Sequence, residues 1–237
     1  MRVFVILPAA GLGTRMVSGH TAPKAPKQFL VLQGLPILAH SLRAFAVSPR
    51  VSSIYVAVRK TETGRMQSLI AEHGFGGKVR IVEGGLSRQE SVSNALKAIH
   101  AAEDDIILVH DAVRPLIDTA TIERTIDAVE RFGAAIVGLP AMDTIKQVER
   151  TAAGAIITAT IPREYVVQAQ TPQGFRWPVL QKAFAEAEAD GFVGTDEASV
   201  VERSGAQVAV VLGSPENLKI TQPGDLKLAE FYLRQRA

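Results

Sequence analysis

Cysteine is absent from the sequence, which excludes disulfide bonds, thiolate catalysis and cysteine-ligated metal sites. Aromatic residues are scarce, at 5% with a single tryptophan, so the chain offers no obvious platform for stacking nucleic-acid bases. The net charge is only +2, which argues against a general nucleic-acid binder but is compatible with a local basic pocket. We therefore expect no nucleic-acid partner.

Long hydrophobic runs are also missing, and we expect no membrane partner. The first apolar run, at residues 3–7, follows Arg2 and precedes two alanines, as in a weak signal peptide. We favour a retained strand, because cleavage would remove the best strand pattern of the chain. The expected location is then the cytoplasm. With 47% hydrophobic residues, the chain can build a sizeable core.

Strand-like and helix-like patterns alternate along most of the chain. Strands are predicted at 3–7, 53–58, 79–82, 105–109, 134–139, 166–169 and 208–212. Helices are predicted at 34–49, 63–73, 87–101, 119–132, 177–189 and from Pro223 onward. This alternation predicts an α/β fold with a doubly wound, mostly parallel sheet and helices on both faces. We expect one domain over residues 1–237.

Two β-like runs, at 143–149 and 155–161, interrupt the alternation and predict a hairpin. The hairpin has few large apolar residues and therefore little core of its own. We expect it to pack on a second subunit, and the alternative is packing on its own domain.

The stretch PAAGLGTRM at 8–16 follows the first strand. Gly11 and Gly13 allow a ligand to approach the backbone, whose N–H groups can face an anion. Arg15 and Lys27 add positive charge. The stretch is not a P-loop, and Met16 replaces the third glycine of the dinucleotide fingerprint. The loop alone fits either a polyphosphate site or an ordinary glycine-rich turn with a surface arginine.

Polar groups recur at the ends of the predicted strands. They are Arg15, Lys27, Gly85, Arg88, Ser91, Asp111, Arg114, Asp143, Thr144 and Lys219. Because a doubly wound sheet brings strand ends to one rim, we expect an anionic, phosphorylated ligand there. We interpret His110 as a core residue rather than a base, and Asp196 with Glu197 as a helix N-cap rather than an acid/base pair.

Eight motifs together resemble those of the 2-C-methyl-D-erythritol 4-phosphate cytidylyltransferase family. In order, they are PAAGLGTRM, PKQF, GGLSRQESV, HDAVRP, DTIKQV, QTPQGF, TDEAS and LKIT, and they span residues 3 to about 233. The resemblance implies a Rossmann-like sheet of the nucleotidyltransferase type and a homodimer formed through a β-arm at about 142–160. It also implies transfer of a cytidylyl group from CTP to methylerythritol phosphate, with release of pyrophosphate, in non-mevalonate isoprenoid synthesis.

The resemblance also implies roles for individual positions. Those matched to CTP binding are Ala9, Ala10, Gly11, Gly13, Gly85 and Ser91. Those matched to catalysis are Arg15, Lys27, Arg163 and Lys219. Those matched to the sugar phosphate are Asp111, Arg114, Thr144, Arg163, Thr195 and Lys219, with Thr144 and Arg163 supplied by the partner's arm. The expected cofactor is Mg²⁺, bound largely through the CTP phosphates, and no residue is assigned as its ligand.

Two features depart from the family pattern. The gap between Arg15 and Lys27 is long, so we expect an inserted lid at about 17–26, in which Lys24 is a second candidate for the role of Lys27. Leu86 stands where a polar residue would help to bind the nucleotide. The alternative functions are a ribitol 5-phosphate cytidylyltransferase and a nucleotide-binding module without turnover.

Overall fold

The computed structural model describes residues 1–13 and 26–236. Its strands are β1 (Val3–Pro8), β2 (Val31–Leu32), β3 (Leu35–Pro36), β4 (Val51–Val58), β5 (Val79–Glu83), β6 (Ile106–Val109), β7 (Ala134–Pro140), β8 (Ile145–Thr151), β9 (Gly154–Ile161), β10 (Val167–Arg176) and β11 (Ala209–Leu212). Its α-helices are α1 (Ile37–Ala46), α2 (Thr63–Glu72), α3 (Arg88–Ala98), α4 (Thr119–Phe132), α5 (Trp177–Asp190), α6 (Glu197–Arg203) and α7 (Pro223–Arg236). Short 3₁₀-helices span Lys27–Phe29, Lys60–Glu62 and Arg163–Tyr165.

Seven strands form the central sheet in the order β11-β7-β10-β6-β1-β4-β5. Strand β10 runs antiparallel to its neighbours β6 and β7, and the other neighbouring strands are parallel. The predicted α/β class with a mostly parallel sheet is confirmed.

The alternating side chains of β1 show why helices cover both faces of the sheet. Val5 and Leu7 belong to an apolar cluster that includes residues of α1 and α4. Phe4 and Ile6 point to the opposite face and belong to a cluster with residues of α3, α5 and α6. Because successive side chains of a strand point to opposite faces, a continuous apolar run must be buried on both.

Strand β10 differs from the expectation of a short strand at 166–169. It continues through QTPQGF to Arg176, with a register shift between Ala169 and Gln173. The segment carries polar side chains into the core, where Gln173 is 1% exposed. Its amide donates to Asp196 and accepts from the Ala198 N–H, so tertiary hydrogen bonds compensate for its burial.

Two helix boundaries also differ from the predicted ones. Helix α1 begins at Ile37 rather than at residue 34, because β3 first pairs with β2 in a short hairpin. Helix α3 spans Arg88–Ala98 rather than 87–101, and Ser87 is its N-cap residue. The expected lid at about 17–26 lies almost entirely outside the described residues.

The predicted hairpin is confirmed as β8 paired with β9 in a separate two-stranded sheet. Every residue of β9 is exposed, including Ile156 and Ile157, which are each more than 60% exposed. The protein surface on which this hairpin packs stays a prediction.

Candidate active site

A cavity of about 1070 Å³ opens at the carboxyl ends of β1, β4, β5 and β6. It brings together many of the groups predicted at strand ends. The lining residues include Ala9, Ala10, Gly11, Lys27, Arg59, Lys60, Gly84, Gly85, Arg88, Ser91, Asp111 and Lys219. The rule that ligands bind beyond the carboxyl ends of parallel strands therefore located this cavity correctly.

The loop after β1 is fixed to its surroundings on two sides. The Ala9 N–H donates to the Ala57 carbonyl at 2.8 Å, which extends the pairing of β1 with β4. The buried Gln28 amide donates to the Ala9 carbonyl at 2.5 Å. Gln28 is the neighbour of Lys27, so this hydrogen bond also sets the position of Lys27 relative to the loop. Lys27 itself donates to the Ile220 carbonyl at 3.3 Å.

Gly13 lies against the side chain of Lys27. Its φ is +68°, and a Cβ added there would lie 3.0 Å from the Lys27 Cγ. A larger residue would therefore be strained in its backbone and would also push on Lys27.

The second wall of the cavity is the loop between β5 and α3. The Gly85 N–H donates to the Ser91 hydroxyl at 3.0 Å, and this hydroxyl donates to the Ser87 carbonyl at 2.9 Å. Ser87 also caps α3 by accepting from the Glu90 N–H. The loop is therefore held in one shape by the first turn of its own helix. Leu86, which stands where a polar residue would help to bind the nucleotide, is fully exposed.

Asp111 is the electrostatic centre of the cavity wall after β6. Its carboxylate accepts from Lys219 Nζ at 3.0 Å, Arg88 Nε at 3.2 Å and Arg114 Nε at 3.3 Å. Burial alone would raise the pKa of Asp111, but these three cations outweigh it and hold the pKa well below its usual range. Asp111 is therefore a fixed anion surrounded by positive charge.

A buried chain of hydrogen bonds positions the Asp111 backbone. The Asp111 N–H donates to the Thr171 hydroxyl, which lies 3.0 Å from His110 Nδ1. His110 Nε2 lies 3.1 Å from the Arg114 carbonyl, which can only accept, so Nε2 carries the hydrogen and Nδ1 accepts from Thr171. Burial lowers the pKa of His110 to about 4. The interpretation of His110 as a core residue is confirmed, because the residue is 0% exposed.

The expected N-cap at the TDEAS motif is confirmed for Asp196. Its side chain accepts from the Ser199 N–H, and the Ser199 hydroxyl completes a capping box. Glu197 has a different role from the one expected, because it is the first helical residue and is 1% exposed. Its carboxylate accepts from Arg88 Nη1 at 2.6 Å.

The remaining predicted residues that the structure describes lie outside the lining of the cavity. Arg114 is behind Asp111, where it also donates to the Asn217 carbonyl. Thr144, Arg163 and Thr195 are exposed, and the first two are at the base of the hairpin. Arg163 donates to the Met142 carbonyl at 2.6 Å. Arg15 and Lys24 lie outside the described residues.

Comparison with known proteins identifies the family. The family model described as 2-C-methyl-D-erythritol 4-phosphate cytidylyltransferase matches residues 3–235. The chain is also 71% identical to the protein of that name from Acidobacterium capsulatum, and the alignment covers 100% of this chain and 99% of that protein. The chain belongs to the 2-C-methyl-D-erythritol 4-phosphate cytidylyltransferase family.

Other cytidylyltransferases of this family agree in sequence and in fold. The Solibacter usitatus relative is 52% identical and is covered over 98% of its length, with all of this chain aligned. A solved structure of 4-diphosphocytidyl-2C-methyl-D-erythritol synthase from Anaerococcus prevotii matches with a TM-score of 0.83 at 26% identity, over 98% of each chain. The predicted enzyme class, a nucleotidyltransferase, and the predicted nucleotidyltransferase-type fold are confirmed.

The sequence reasoning missed three charged residues in or beside this cavity. Arg59 and Lys60 line the cavity directly after β4, and the strand-end rule would have found them if it had been applied to this strand. The pairing of Glu197 with Arg88 joins residues 109 positions apart and has no local signal.

Two absences can be stated for residues 1–13 and 26–236. None of their helices is long and apolar enough to cross a membrane. Their histidine, aspartate and glutamate side chains also form no group of three or more that could hold a metal ion.

Proposed function

We propose that this chain transfers a cytidylyl group from CTP to 2-C-methyl-D-erythritol 4-phosphate. The products are 4-diphosphocytidyl-2-C-methyl-D-erythritol and pyrophosphate. The names of the relatives support this function, and one observation of the cavity carries it. Lys27, on the nucleotide side, donates to the Ile220 carbonyl, and the adjacent Lys219 donates to Asp111 on the sugar side. The residues proposed to bind the nucleotide and those proposed to bind the sugar phosphate therefore meet in one cavity.

The proposed reaction is an in-line displacement at the α-phosphorus of CTP. A phosphate oxygen of the sugar alcohol forms the new bond to that phosphorus, and the bond to the pyrophosphate oxygen breaks. Because the nucleophile is already an anion, no general base is required. Catalysis must bring two anions together and stabilise charge on the transition state, which basic side chains and backbone N–H groups can do. We assign this role to Lys27, Arg15 and Lys219, together with Arg163 supplied by the partner's arm.

The electrostatics of Asp111 support a role in binding the sugar alcohol. An ionised carboxylate accepts hydrogen bonds from hydroxyl groups, and the low pKa of Asp111 keeps it ionised. Lys219 lines the cavity and is placed to attract the substrate phosphate, and Arg114 adds positive charge from behind Asp111. One wall would thus recognise both ends of a phosphorylated polyol.

Magnesium is the proposed cofactor, bound through the triphosphate. Asp111 lies in the cavity but is already bound by three cations, and Glu90 accepts from the Leu86 N–H. Because both carboxylates are already engaged, we propose that the metal ion enters with the nucleotide rather than being held by the protein beforehand. When bound, Mg²⁺ would neutralise part of the phosphate charge.

We further propose a cytoplasmic homodimer of single-domain subunits, joined through the β-arm at 142–160. The arm exposes apolar side chains, including Val148 and Ile156, which a partner would cover. In the dimer, Thr144 and Arg163 would enter the partner's site. Neither lines the cavity of its own subunit, which supports this assignment.

The test is pyrophosphate release by the purified protein. We expect release only when CTP, Mg²⁺ and methylerythritol phosphate are all present. Omission of each component, and replacement of CTP by UTP or ATP, are the controls. Release with ribitol 5-phosphate but not with methylerythritol phosphate would move the assignment to the pentitol enzyme, and CTP binding without any turnover would indicate a binding module.

A further inference from the structure

Glu197 is a buried carboxylate that the proposed chemistry does not use. Its side chain is 1% exposed, and one oxygen, Oε1, accepts from Arg88 Nη1 at 2.6 Å. The other oxygen, Oε2, has no hydrogen-bond partner among the described residues. A buried ion pair is poor evidence of a stabilising role, because an apolar pair of similar volume often stabilises a protein as well or better. This pair therefore calls for a reason other than stability.

Arg88 connects Glu197 to both halves of the cavity. It is the first residue of α3, directly after the loop that forms the proposed nucleotide wall. Its Nε donates to Asp111 Oδ1 at 3.2 Å while its Nη1 donates to Glu197. One guanidinium thus joins the nucleotide loop, the Asp111 carboxylate and the N-terminus of α6.

The position of Glu197 is itself well fixed. Gln173, in the centre of the sheet, donates to the Asp196 carboxylate at 2.7 Å and accepts from the Ala198 N–H at 3.0 Å. These two hydrogen bonds hold the residues on either side of Glu197 to β10. The carboxylate therefore lies on a rigid support, as a residue that orients another side chain requires.

The hydrogen bonds of Asp111 show what this orientation achieves. An ionised carboxylate has about four lone-pair sites. Arg88, Arg114 and Lys219 each occupy one of them, which leaves about one for a ligand hydroxyl. Glu197 holds Arg88 through Nη1, on a different edge of the guanidinium from the Nε–H, and this fixes the orientation in which Nε donates to Asp111. Without Glu197, the guanidinium could rotate and donate to Asp111 through both Nε and Nη2, which share one edge, and so occupy the remaining site.

We propose that Glu197 is a positioning residue that holds the Arg88 guanidinium in place and so keeps one hydrogen-bonding site of Asp111 open for the sugar-alcohol substrate. This inference rests on the proposed function of Asp111. It predicts that loss of the Glu197 charge weakens binding of the sugar phosphate selectively, with little effect on CTP.

The test compares steady-state kinetics of the wild-type protein and Glu197→Gln. We expect the KM for methylerythritol phosphate to rise on the order of tenfold, the effect of one weakened hydrogen bond to a charged group. The KM for CTP and kcat should change less than about threefold, because the lost interaction serves ground-state binding of one substrate. Glu197→Asp, which keeps the charge, should recover part of the affinity.

Two further variants separate positioning from folding. The double variant Arg88→Met with Glu197→Met replaces the buried ion pair by apolar side chains, so it should fold even if a single variant does not. Because it also removes the guanidinium that would turn to Asp111, its KM for methylerythritol phosphate should rise less than that of Glu197→Gln. Asp190→Asn removes the exposed pair with Arg203 at the other end of α6 and should leave all constants unchanged.

An unchanged KM for methylerythritol phosphate in a folded Glu197→Gln variant would overturn the inference. Equal losses for both substrates would do the same, because they indicate a general structural defect. Absence of turnover in the wild-type protein would refute the proposed function and this inference with it. Normal wild-type turnover with an unaffected variant refutes the inference alone.

Discussion

Gly84 is the position at which a single added methyl group should separate the two walls of the proposed nucleotide site. A Cβ at Gly84 would lie 2.5 Å from the Ala10 Cβ, 3.2 Å from the Ser91 hydroxyl oxygen and 3.4 Å from the Ala57 carbonyl carbon. Carbon atoms pack at about 3.5–4.0 Å, so Gly84→Ala requires a displacement of about 1 Å. The opposing atom is a Cβ fixed to the backbone, and therefore the loop itself must move.

The expected consequences concern both stability and binding. Overpacking of this kind costs about 1–3 kcal/mol of unfolding free energy. A 1 Å displacement of a positioning group can cost about 10²-fold in rate. Since Ala10 and Gly85 form the proposed CTP site, we expect the KM for CTP to rise more than the KM for methylerythritol phosphate. Urea unfolding and initial-rate kinetics measure the two effects.

Gly77→Ala is the matched control. No atom lies within 4 Å of a Cβ built at Gly77, and its φ is outside the left-handed region. This variant should be neutral or slightly stabilising, because alanine restricts the unfolded chain. A Gly84→Ala protein with wild-type stability and a wild-type KM for CTP would refute the reasoning, since the loops could then not be in the contact described.

The remaining predictions concern catalysis, assembly and acid stability. Lys27→Ala should lower kcat by roughly 10²–10³-fold in the pyrophosphate assay, as for loss of one transition-state donor. A near-wild-type Lys27→Ala with an inactive Lys24→Ala would assign the role to Lys24 instead. Mixing inactive Arg163→Ala and Lys27→Ala subunits should restore some activity, because one hybrid site is intact. No recovery despite demonstrated subunit exchange contradicts a shared site. Burial raises the pKa of Asp105, but hydrogen bonds from Arg2 and the Ala102 N–H outweigh it and lower the pKa from 3.8. Its ionised form therefore stabilises the fold above the unfolded pKa, and this stabilisation is lost as pH falls through the folded pKa. The stability difference between wild type and Asp105→Asn in urea should shrink accordingly below about pH 4. A constant difference would contradict the assignment.

The strand ends illustrate how much of the site could be predicted. The glycines at 11 and 85, together with Lys27, Asp111 and Lys219, were each placed after a predicted strand, and all five line one cavity. This prediction succeeded because parallel strands run in the same direction, so their carboxyl ends lie at the same edge of the sheet. A residue that directly follows a strand in the sequence is therefore placed at that edge. The hairpin could be predicted for a different reason, because its two strands are close in sequence and pair with each other.

The boundaries that failed depend on interactions beyond the local pattern. QTPQGF is polar and contains a proline, so its local pattern gave no sign of a central antiparallel strand. It is one because α6 supplies hydrogen-bond partners to Gln173 in the core. Likewise, α1 begins at Ile37 because Pro36 and Leu35 pair with β2. A helical periodicity alone does not reveal such a competing partner.

The sequence by itself determined the fold class, the order of the elements and the family of this protein. Apolar periodicity acts between residues two to four positions apart, and the motifs of the family are contiguous stretches, so both can be recognised without the tertiary structure. The ion pairs around Asp111 and Arg88 were decided only by the tertiary structure. Arg88, Asp111, Glu197 and Lys219 come from four separate segments, and packing of the sheet and helices brings them within 3.2 Å of their partners. Burial then strengthens their interactions, because the protein interior screens charges less than water does.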